Sequence, residues 1–104
     1  MSSTHKKPLL GQIVRVTQGR EADRYMIIVD IIDDRFVMLA DGKGRKFNKP
    51  KKKNILHFEM LDYISADIQN SLLETGRVTN GKLRFTIDKY VNEHVTDNKE
   101  GSRA

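Results

Sequence analysis

Histidine and aspartate side chains are the residues of this chain that most often bind metals or transfer protons in other proteins. His5, His57 and His94 lie far apart in the sequence, and none has a second ligand three or four residues away. This spacing does not predict a metal site. Asp33 and Asp34 are adjacent between two apolar runs, and turn chemistry explains this pair better than acid–base or cation chemistry.

Two other patterns fall short of a catalytic or phosphate-binding motif. The segment Asp41-Gly-Lys-Gly44 is rich in glycine but lacks the Gly-Lys-Ser/Thr ending of a phosphate-binding loop. Ser65 has no nearby histidine and precedes an apolar run, which is typical of a helix cap. The chain has no cysteine, so disulfides and thiolate metal sites are excluded. The sequence therefore predicts a protein that is not an enzyme and that has no cofactor and no small-molecule substrate.

The sequence does support binding of a polyanion. No acidic residue occurs between Gly42 and Phe58. Seven basic side chains lie close together in this span, namely Lys43, Arg45, Lys46, Lys49, Lys51, Lys52 and Lys53. Their mutual repulsion costs stability unless a polyanion neutralises them, which predicts salt-dependent binding of nucleic acid. Phe47 interrupts the charges, and it either stacks on a base or packs into the core, as an aromatic at strand spacing usually does.

The positive charge belongs to the first part of the chain. The formal net charge is +5, but residues 1–61 carry 13 basic and 7 acidic side chains, whereas residues 62–104 carry 6 and 7. A basic domain attracts nucleic acid first and an anionic membrane second. No apolar run approaches the ~20 residues of a membrane span. The N-terminus lacks the apolar core of a signal peptide, so the predicted location is cytoplasmic.

Short apolar runs separated by turn signals predict a small β domain. Strands are expected at 12–17, 25–32, 35–40, 44–48 and 54–58, with turns at Gly19, Asp33-Asp34 and Asp41-Gly42. Closing such a sheet into a barrel or sandwich removes its exposed edges. A helix is then expected between Ser65 as N-terminal cap and Gly76 just past the C-terminus. Residues 79–92 fit either a strand or a helix, and we favour a helix capped by Thr79 or Asn80.

The first two strands carry a resemblance to a known family. The segment Gly11-Gln-Ile-Val-Arg-Val-Thr-Gln-Gly19, a polar loop, and Met26-Ile-Ile-Val-Asp-Ile-Ile32 resemble a KOW motif, a strand–loop–strand unit of ribosomal proteins and transcription-elongation factors. The similarity is closest to the archaeal and eukaryotic large-subunit ribosomal proteins of the fourteen-e type. These proteins share the run Val29-Asp-Ile-Ile-Asp33 and the Asp41-Gly42 turn, and the resemblance covers about residues 10–61.

This resemblance implies a small SH3-like (KOW) barrel of four or five strands. Together with the helices that the sequence pattern predicts, the expected fold is mostly β with C-terminal α structure, in which one or two short helices follow the barrel. The predicted domains are a flexible tail at 1–8, the barrel at 9–61, a helical appendage at 62–95 and a frayed tail at 96–104. The implied partners are structured RNA, above all ribosomal RNA, and other ribosomal proteins. The predicted RNA contacts are Arg15, Arg20, Arg24 and Tyr25, together with the seven basic residues of 43–53.

The loop after the first strand departs from the family pattern. The family often has a second glycine there, at a place that falls near Asp23 in this chain. Aspartate tolerates a left-handed conformation better than most residues, so the turn can survive. A carboxylate facing phosphate would weaken binding, and Glu21 raises the same difficulty. Tyr25 follows the loop, and both stacking on a base and packing against the barrel remain open for its ring.

The leading hypothesis is a ribosome-associated RNA-binding protein that recognises RNA shape more than base edges. One alternative is an SH3-like adaptor that binds proteins without RNA contact. It predicts an aromatic-lined groove, but the chain has no Trp and only three Tyr. Another alternative is binding to an anionic membrane surface, which normally needs a basic amphipathic helix. The basic stretch of 43–53 is not such a helix, because Gly44 and Pro50 interrupt it. The C-terminal segment is expected to pack on the barrel or to contact a protein.

Overall fold

The computed structural model describes residues 7–95, and within them five strands precede two helices. The strands are β1 (Gln12–Val16), β2 (Tyr25–Ile31), β3 (Phe36–Ala40), β4 (Lys51–Asn54) and β5 (Phe58–Ile64). A short 3₁₀ turn, Ile55–His57, joins β4 to β5. The helices are α1 (Ala66–Thr75) and α2 (Asn80–His94). The predicted class, mostly β with a small barrel of four or five strands followed by one or two helices, is confirmed. The expected tails at 1–8 and 96–104 lie outside the described residues, apart from Lys7 and Pro8.

The strands form one antiparallel sheet in the order β4-β3-β2-β1-β5. Ile13 of β1 lies opposite Ile27 of β2, and Val14 lies opposite Met60 of β5. Register irregularities occur in β1 after Gln12 and in β2 after Ile28. Such irregularities increase local twist and bend a strand, so they help a short sheet to coil into a barrel.

Both faces of the sheet are buried, which explains the nearly continuous apolar runs in β1 and β2. Alternate side chains such as Val14, Met26 and Leu39 form the core inside the barrel. The intervening side chains, such as Ile13 and Ile27, form a second core with residues from the C-terminal part of the chain. The two helices and the segment between them contribute buried side chains to this second core: Ile68, Leu72, Val78 and Leu83.

Local capping sets the ends of the helices as the sequence predicted. The Ser65 hydroxyl accepts a hydrogen bond from the Ile68 amide at 3.1 Å, and Gly76 ends α1 in a left-handed conformation with φ +75°. The Thr79 hydroxyl caps α2 by accepting from the Lys82 amide at 3.1 Å. The helical interpretation of 79–92 is therefore confirmed. These caps satisfy backbone groups that helix ends otherwise leave unpaired.

Two of the expected strands are wrong in position. Residues 44–48 form turns, because the Asp41 carboxylate accepts from the Lys43 and Arg45 amides, each at 2.9 Å. In the region of 54–58, the Asn54 side chain accepts from the Leu56 amide at 2.8 Å and starts the 3₁₀ turn. The last strand begins only at Phe58 and ends at Ile64, three residues beyond the expected barrel boundary at 61.

Candidate nucleic-acid interface

The β1–β2 loop and the connection between β3 and β4 meet at the buried carboxylate of Glu21. One oxygen, Oε2, lies 3.5 Å from Arg45 Nη2, and the other, Oε1, lies 3.6 Å from Lys53 Nζ. Lys53 Nζ also donates to the Gln18 carbonyl oxygen at 3.2 Å. The side chains of Glu21 and Lys53 are 12% and 9% exposed. These ion pairs hold the two loops side by side.

The environment of Glu21 keeps its carboxyl group ionised. Burial acts to raise the pKa of Glu21, since a charged group loses hydration there. The ammonium groups of Lys51 and Lys53, the Glu21 backbone amide and the Arg45 guanidinium together outweigh this effect and hold the pKa below its ordinary value. The carboxylate therefore faces cations of its own chain. This placement removes the expected repulsion between Glu21 and an RNA phosphate.

The alternation of side chains along β4 divides the lysine run between two faces of the sheet. Lys53 lies opposite Val37 and is only 8% exposed, with its ammonium group bound to Glu21. Lys52 lies opposite Met38, and its Nζ stands 4.7 Å from the centre of the Phe36 ring. The expectation that all seven charges of 43–53 are uncompensated is therefore wrong, since Glu21 neutralises part of the group. Lys53 is too buried to remain a proposed RNA contact.

Arg15 is likewise occupied by the protein. Its guanidinium makes ion pairs with Asp23 at 3.0 Å and with Glu59 at 3.2 Å, and its side chain is 35% exposed. Exposed pairs of this kind contribute little to stability, but they compensate the charge of Arg15. Arg15 therefore has a weaker case as a phosphate contact than the sequence indicated.

Asp23 occupies the place of the missing glycine in a left-handed conformation, with φ +72°. The expectation that the turn survives with aspartate is thus confirmed. Asp23→Ala is expected to lower the free energy of unfolding by about 1 kcal/mol, because a side chain without a local polar contact is strained at this φ. Asp23→Gly is expected to avoid this loss, as measured by urea denaturation.

The two Asp23 variants control for each other. Both remove the carboxylate that pairs with Arg15, so the difference between them isolates the backbone conformation. Equal free energies of unfolding for Asp23→Ala and Asp23→Gly would mean that the left-handed conformation at position 23 does not strain a side chain.

A set of cations on the two loops remains exposed to solvent. These are Arg20 and Arg24 in the β1–β2 loop and Lys43, Lys46 and Lys49 in the connection after β3. Lys43, Lys46 and Lys49 line one shallow cavity of ≈ 230 Å³ together with Arg45 and Asn48. No acidic side chain lines this cavity, so it presents a continuous positive surface to solvent.

Helix α2 adds a cation that the sequence did not single out. Arg84 Nη1 donates to the Gly42 carbonyl oxygen at 2.7 Å, and the Phe47 amide donates to Asn80 Oδ1 at 2.8 Å. Gly42 has φ +79°, and a Cβ there would overlap the Asn80 carbonyl oxygen. Because the net charge of residues 62–104 is slightly negative, nothing in the sequence marked Arg84 as part of a basic surface. We name Arg24, Lys43, Lys46, Lys49 and Arg84 the basic rim.

Both aromatic residues next to the rim pack against the protein. The Tyr25 ring lies 5.9 Å from the Tyr90 ring of α2, and Tyr25 remains half-buried. Phe47 is also half-buried and packs against the core between sheet and helices. Packing, the more frequent of the two interpretations of Phe47, is confirmed. Tyr25 therefore packs against the protein while remaining partly exposed, and stacking of its ring on a base stays a prediction.

Comparison with known proteins finds relatives that are described as ribosome-binding or ribosomal proteins. A Bacillus subtilis protein described as a candidate ribosome-binding protein, YbzG, is 43% identical over 72 residues, which are 69% of this chain and 97% of that relative. The large ribosomal subunit protein eL14 of Desulfurococcus amylolyticus is 49% identical over 53 residues. The chain belongs to the eL14-like ribosomal protein family. No family model matches it.

The eL14-like resemblance seen in the sequence is thereby confirmed. The chain spans a little over half the length of the archaeal eL14 relatives, 55% for Desulfurococcus amylolyticus and 59% for Aeropyrum pernix, the latter being 43% identical over 60 residues. The Bacillus relative is matched over nearly its whole length. The likeness therefore covers nearly all of a small relative and one portion of the longer archaeal eL14 proteins.

Sites of two other kinds are not found in the described part of the chain. Within residues 7–95, no group of three or more His, Asp or Glu side chains is placed to hold a metal ion. No helix in that range has the length and apolar character needed to cross a membrane.

Proposed function

We propose that this eL14-like protein associates with the ribosome and binds ribosomal RNA through the basic rim. The observation that carries the proposal is the convergence of the β1–β2 loop, the β3–β4 connection and α2 on one exposed positive surface. The names of the relatives support the same role, since one is described as ribosome-binding and others as large-subunit ribosomal proteins. The proposed role is binding rather than catalysis.

The electrostatics of the two loops favour phosphate contacts. Glu21 is buried and paired, whereas the rim residues Lys43, Lys46 and Lys49 are exposed. Lysines and arginines of this kind bind phosphate oxygens and release counterions, which makes the affinity depend on salt. Such contacts position a protein on RNA without reading its bases. The rim therefore supplies affinity for the RNA backbone, and RNA shape supplies much of the selectivity.

The double variant Lys46→Gln/Lys49→Gln is expected to bind ribosomal RNA roughly tenfold more weakly at low salt. The slope of log affinity against log salt concentration should decrease by about 0.7 for each phosphate that the variant no longer neutralises. The measurement is fluorescence anisotropy of the labelled full chain with purified ribosomal RNA across a potassium chloride series. Sedimentation with ribosomal subunits tests the association itself.

A matched control is the double variant Arg77→Gln/Lys89→Gln. It removes the same number of charges from exposed positions on the helical side of the protein. We expect it to keep nearly the wild-type slope. If both double variants lose affinity equally, net charge and not the rim governs binding. If ribosomes bind the protein but isolated RNA does not, the contact is with ribosomal proteins and the RNA proposal is wrong.

A further inference from the structure

A surface cavity of ≈ 390 Å³ lies where the β1–β2 loop, the β3–β4 connection and α2 meet. Three rim cations, Arg24, Lys43 and Arg84, stand around it, and Tyr25 and Ile87 provide apolar wall. Its volume falls within the range of small-ligand sites, ~300–1,000 Å³. The cavity combines charges suited to phosphate with an aromatic residue suited to a base, which a purely electrostatic surface does not need.

The walls of the cavity are held in place by contacts within the protein. Arg84 is fixed by its hydrogen bond to the Gly42 carbonyl oxygen at 2.7 Å, and the Tyr25 ring is fixed against Tyr90. Asp41 also lines the cavity, but its carboxylate already accepts from two backbone amides at 2.9 Å. A preformed site of this kind loses little conformational entropy when a ligand binds.

Asp88 places a carboxylate at the wall of the cavity. It is exposed on α2 at the cavity wall, one turn after Arg84, and makes no ion pair with another residue of 7–95. A carboxylate accepts hydrogen bonds from amino groups, such as N4 of cytosine, and repels carbonyl oxygens, such as O4 of uracil. A base seated beside Tyr25 and Ile87 can present its Watson–Crick edge to such a group.

We propose that this cavity binds one unpaired RNA nucleotide whose base carries an exocyclic amino group. The base lies against Tyr25 and Ile87, Asp88 accepts from the amino group, and Arg24, Lys43 and Arg84 hold the adjoining phosphate. This assignment rests on the proposed RNA-binding function and adds to it a site that reads a base. It also gives α2 a direct part in recognition, beyond covering the sheet.

The probes that test the cavity are cytidine 5′-monophosphate, uridine 5′-monophosphate and ribose 5-phosphate. Each is titrated into the ¹⁵N-labelled full chain and followed by amide chemical shifts. Both nucleotides should shift the Tyr25 and Ile87 amides, whereas ribose 5-phosphate should shift mainly amides beside the cations. The cytidine nucleotide should bind at least about tenfold more tightly than the uridine nucleotide, as one hydrogen bond to a charged acceptor implies.

The variant Asp88→Asn should remove this preference, because an amide can donate to uracil as well as accept from cytosine. Tyr25→Leu should weaken the binding of both nucleotides and leave the binding of ribose 5-phosphate unchanged. The rim variant Lys46→Gln/Lys49→Gln should retain the preference, since neither lysine lines the cavity.

The outcomes separate this site from the proposed function. If all three probes give the same pattern of shifts, or if cytidine and uridine nucleotides bind equally to the wild type, the base site is wrong. Rim-dependent binding of ribosomal RNA would survive that result. Conversely, if Lys46→Gln/Lys49→Gln bound ribosomal RNA as tightly as the wild type, the proposed function would be wrong, whatever the mononucleotides show.

Discussion

Glu21→Gln is expected to lower the free energy of unfolding by about 3 kcal/mol at neutral pH. The substitution keeps the shape of the side chain but removes the negative charge that lies between Arg45 and Lys53. Lys53 would then hold a buried ammonium group without a compensating carboxylate. Breaking one side of a buried ion pair is costly for this reason. Urea denaturation followed by circular dichroism measures the loss.

A double-mutant cycle tests whether Lys53 is the residue that stabilises the buried Glu21 carboxylate. Lys53→Met alone is also expected to destabilise, because Glu21 would lose its nearest ammonium group while remaining buried. The combined variant Glu21→Gln/Lys53→Met should lose less than the two single losses added together, since no buried charge is then left without its partner. Strict additivity would mean that the two side chains do not interact. Glu59→Gln is the control: this carboxylate is 55% exposed, and its removal should cost about 0.5 kcal/mol or less.

The same carboxylate predicts a dependence of stability on pH. The pKa of Glu21 in the folded protein lies below its ordinary value, although burial alone would raise it, because of Lys51, Lys53, the backbone amide and Arg45. The ionised carboxylate therefore stabilises the fold above the ordinary pKa, and this contribution disappears as the pH falls through the folded-state pKa. The unfolding free energy of Glu21→Gln should fall less between neutral and acid pH than that of the wild type.

Glu21 also shows what the sequence could not supply. The sequence marks it as an acid in an RNA-facing loop, where it would oppose binding. The structure turns it inward, toward Arg45 and Lys53, which lie in the connection and strand that follow β3. That contact exists only because antiparallel pairing places the β1–β2 loop and the β3–β4 connection at the same end of the sheet. An interpretation that treats the basic stretch as one patch has no means of finding it.

Local signals predicted the elements they control. The caps Ser65, Gly76 and Thr79 act on their own helix ends within a few residues, so the helices were placed nearly correctly. The apolar runs of the first three strands, bounded by turn signals, also sufficed to place these strands. Strand β5 was missed in large part because its sequence, Phe-Glu-Met-Leu-Asp-Tyr-Ile, mixes polar and half-buried residues. Its place follows from pairing with β1, a contact between distant parts of the chain.

The lysines of β4 illustrate the same limit at the candidate interface. Three consecutive lysines appear equivalent in the sequence, but a strand points successive side chains to opposite faces. Lys53 therefore enters the protein, while Lys52 lies over the Phe36 ring. The exposed part of the interface shifts toward Lys43, Lys46 and Lys49, and it extends to Arg84 on α2. The hydrogen bond between Arg84 and Gly42, and the cavity that Arg84 lines with Arg24 and Lys43, reveal this extension.

The domain organisation implied by the sequence separates the barrel from its helices, but the buried contacts argue for one cooperative unit. Ile13, Ile27 and Ala40 on the sheet are fully buried against side chains that include Ile68 and Leu83. Removing the helices would expose this whole face to water. We propose that the helices are required for the barrel to fold.

Leu83→Ala is expected to lower the free energy of unfolding by about 3 kcal/mol, because Leu83 is 0% exposed and its loss leaves a cavity beneath α2. Phe85→Ala, two residues later on the same helix, removes a larger side chain that is 66% exposed and should change stability by about 0.5 kcal/mol or less.

Amide hydrogen exchange at Ile13 and Ile27 shows whether the loss of stability in Leu83→Ala extends from α2 to the barrel. In a single cooperative unit, Leu83→Ala accelerates exchange at these barrel amides as much as at α2. If exchange quickens in α2 alone, the helices are an independent appendage, as the sequence first implied.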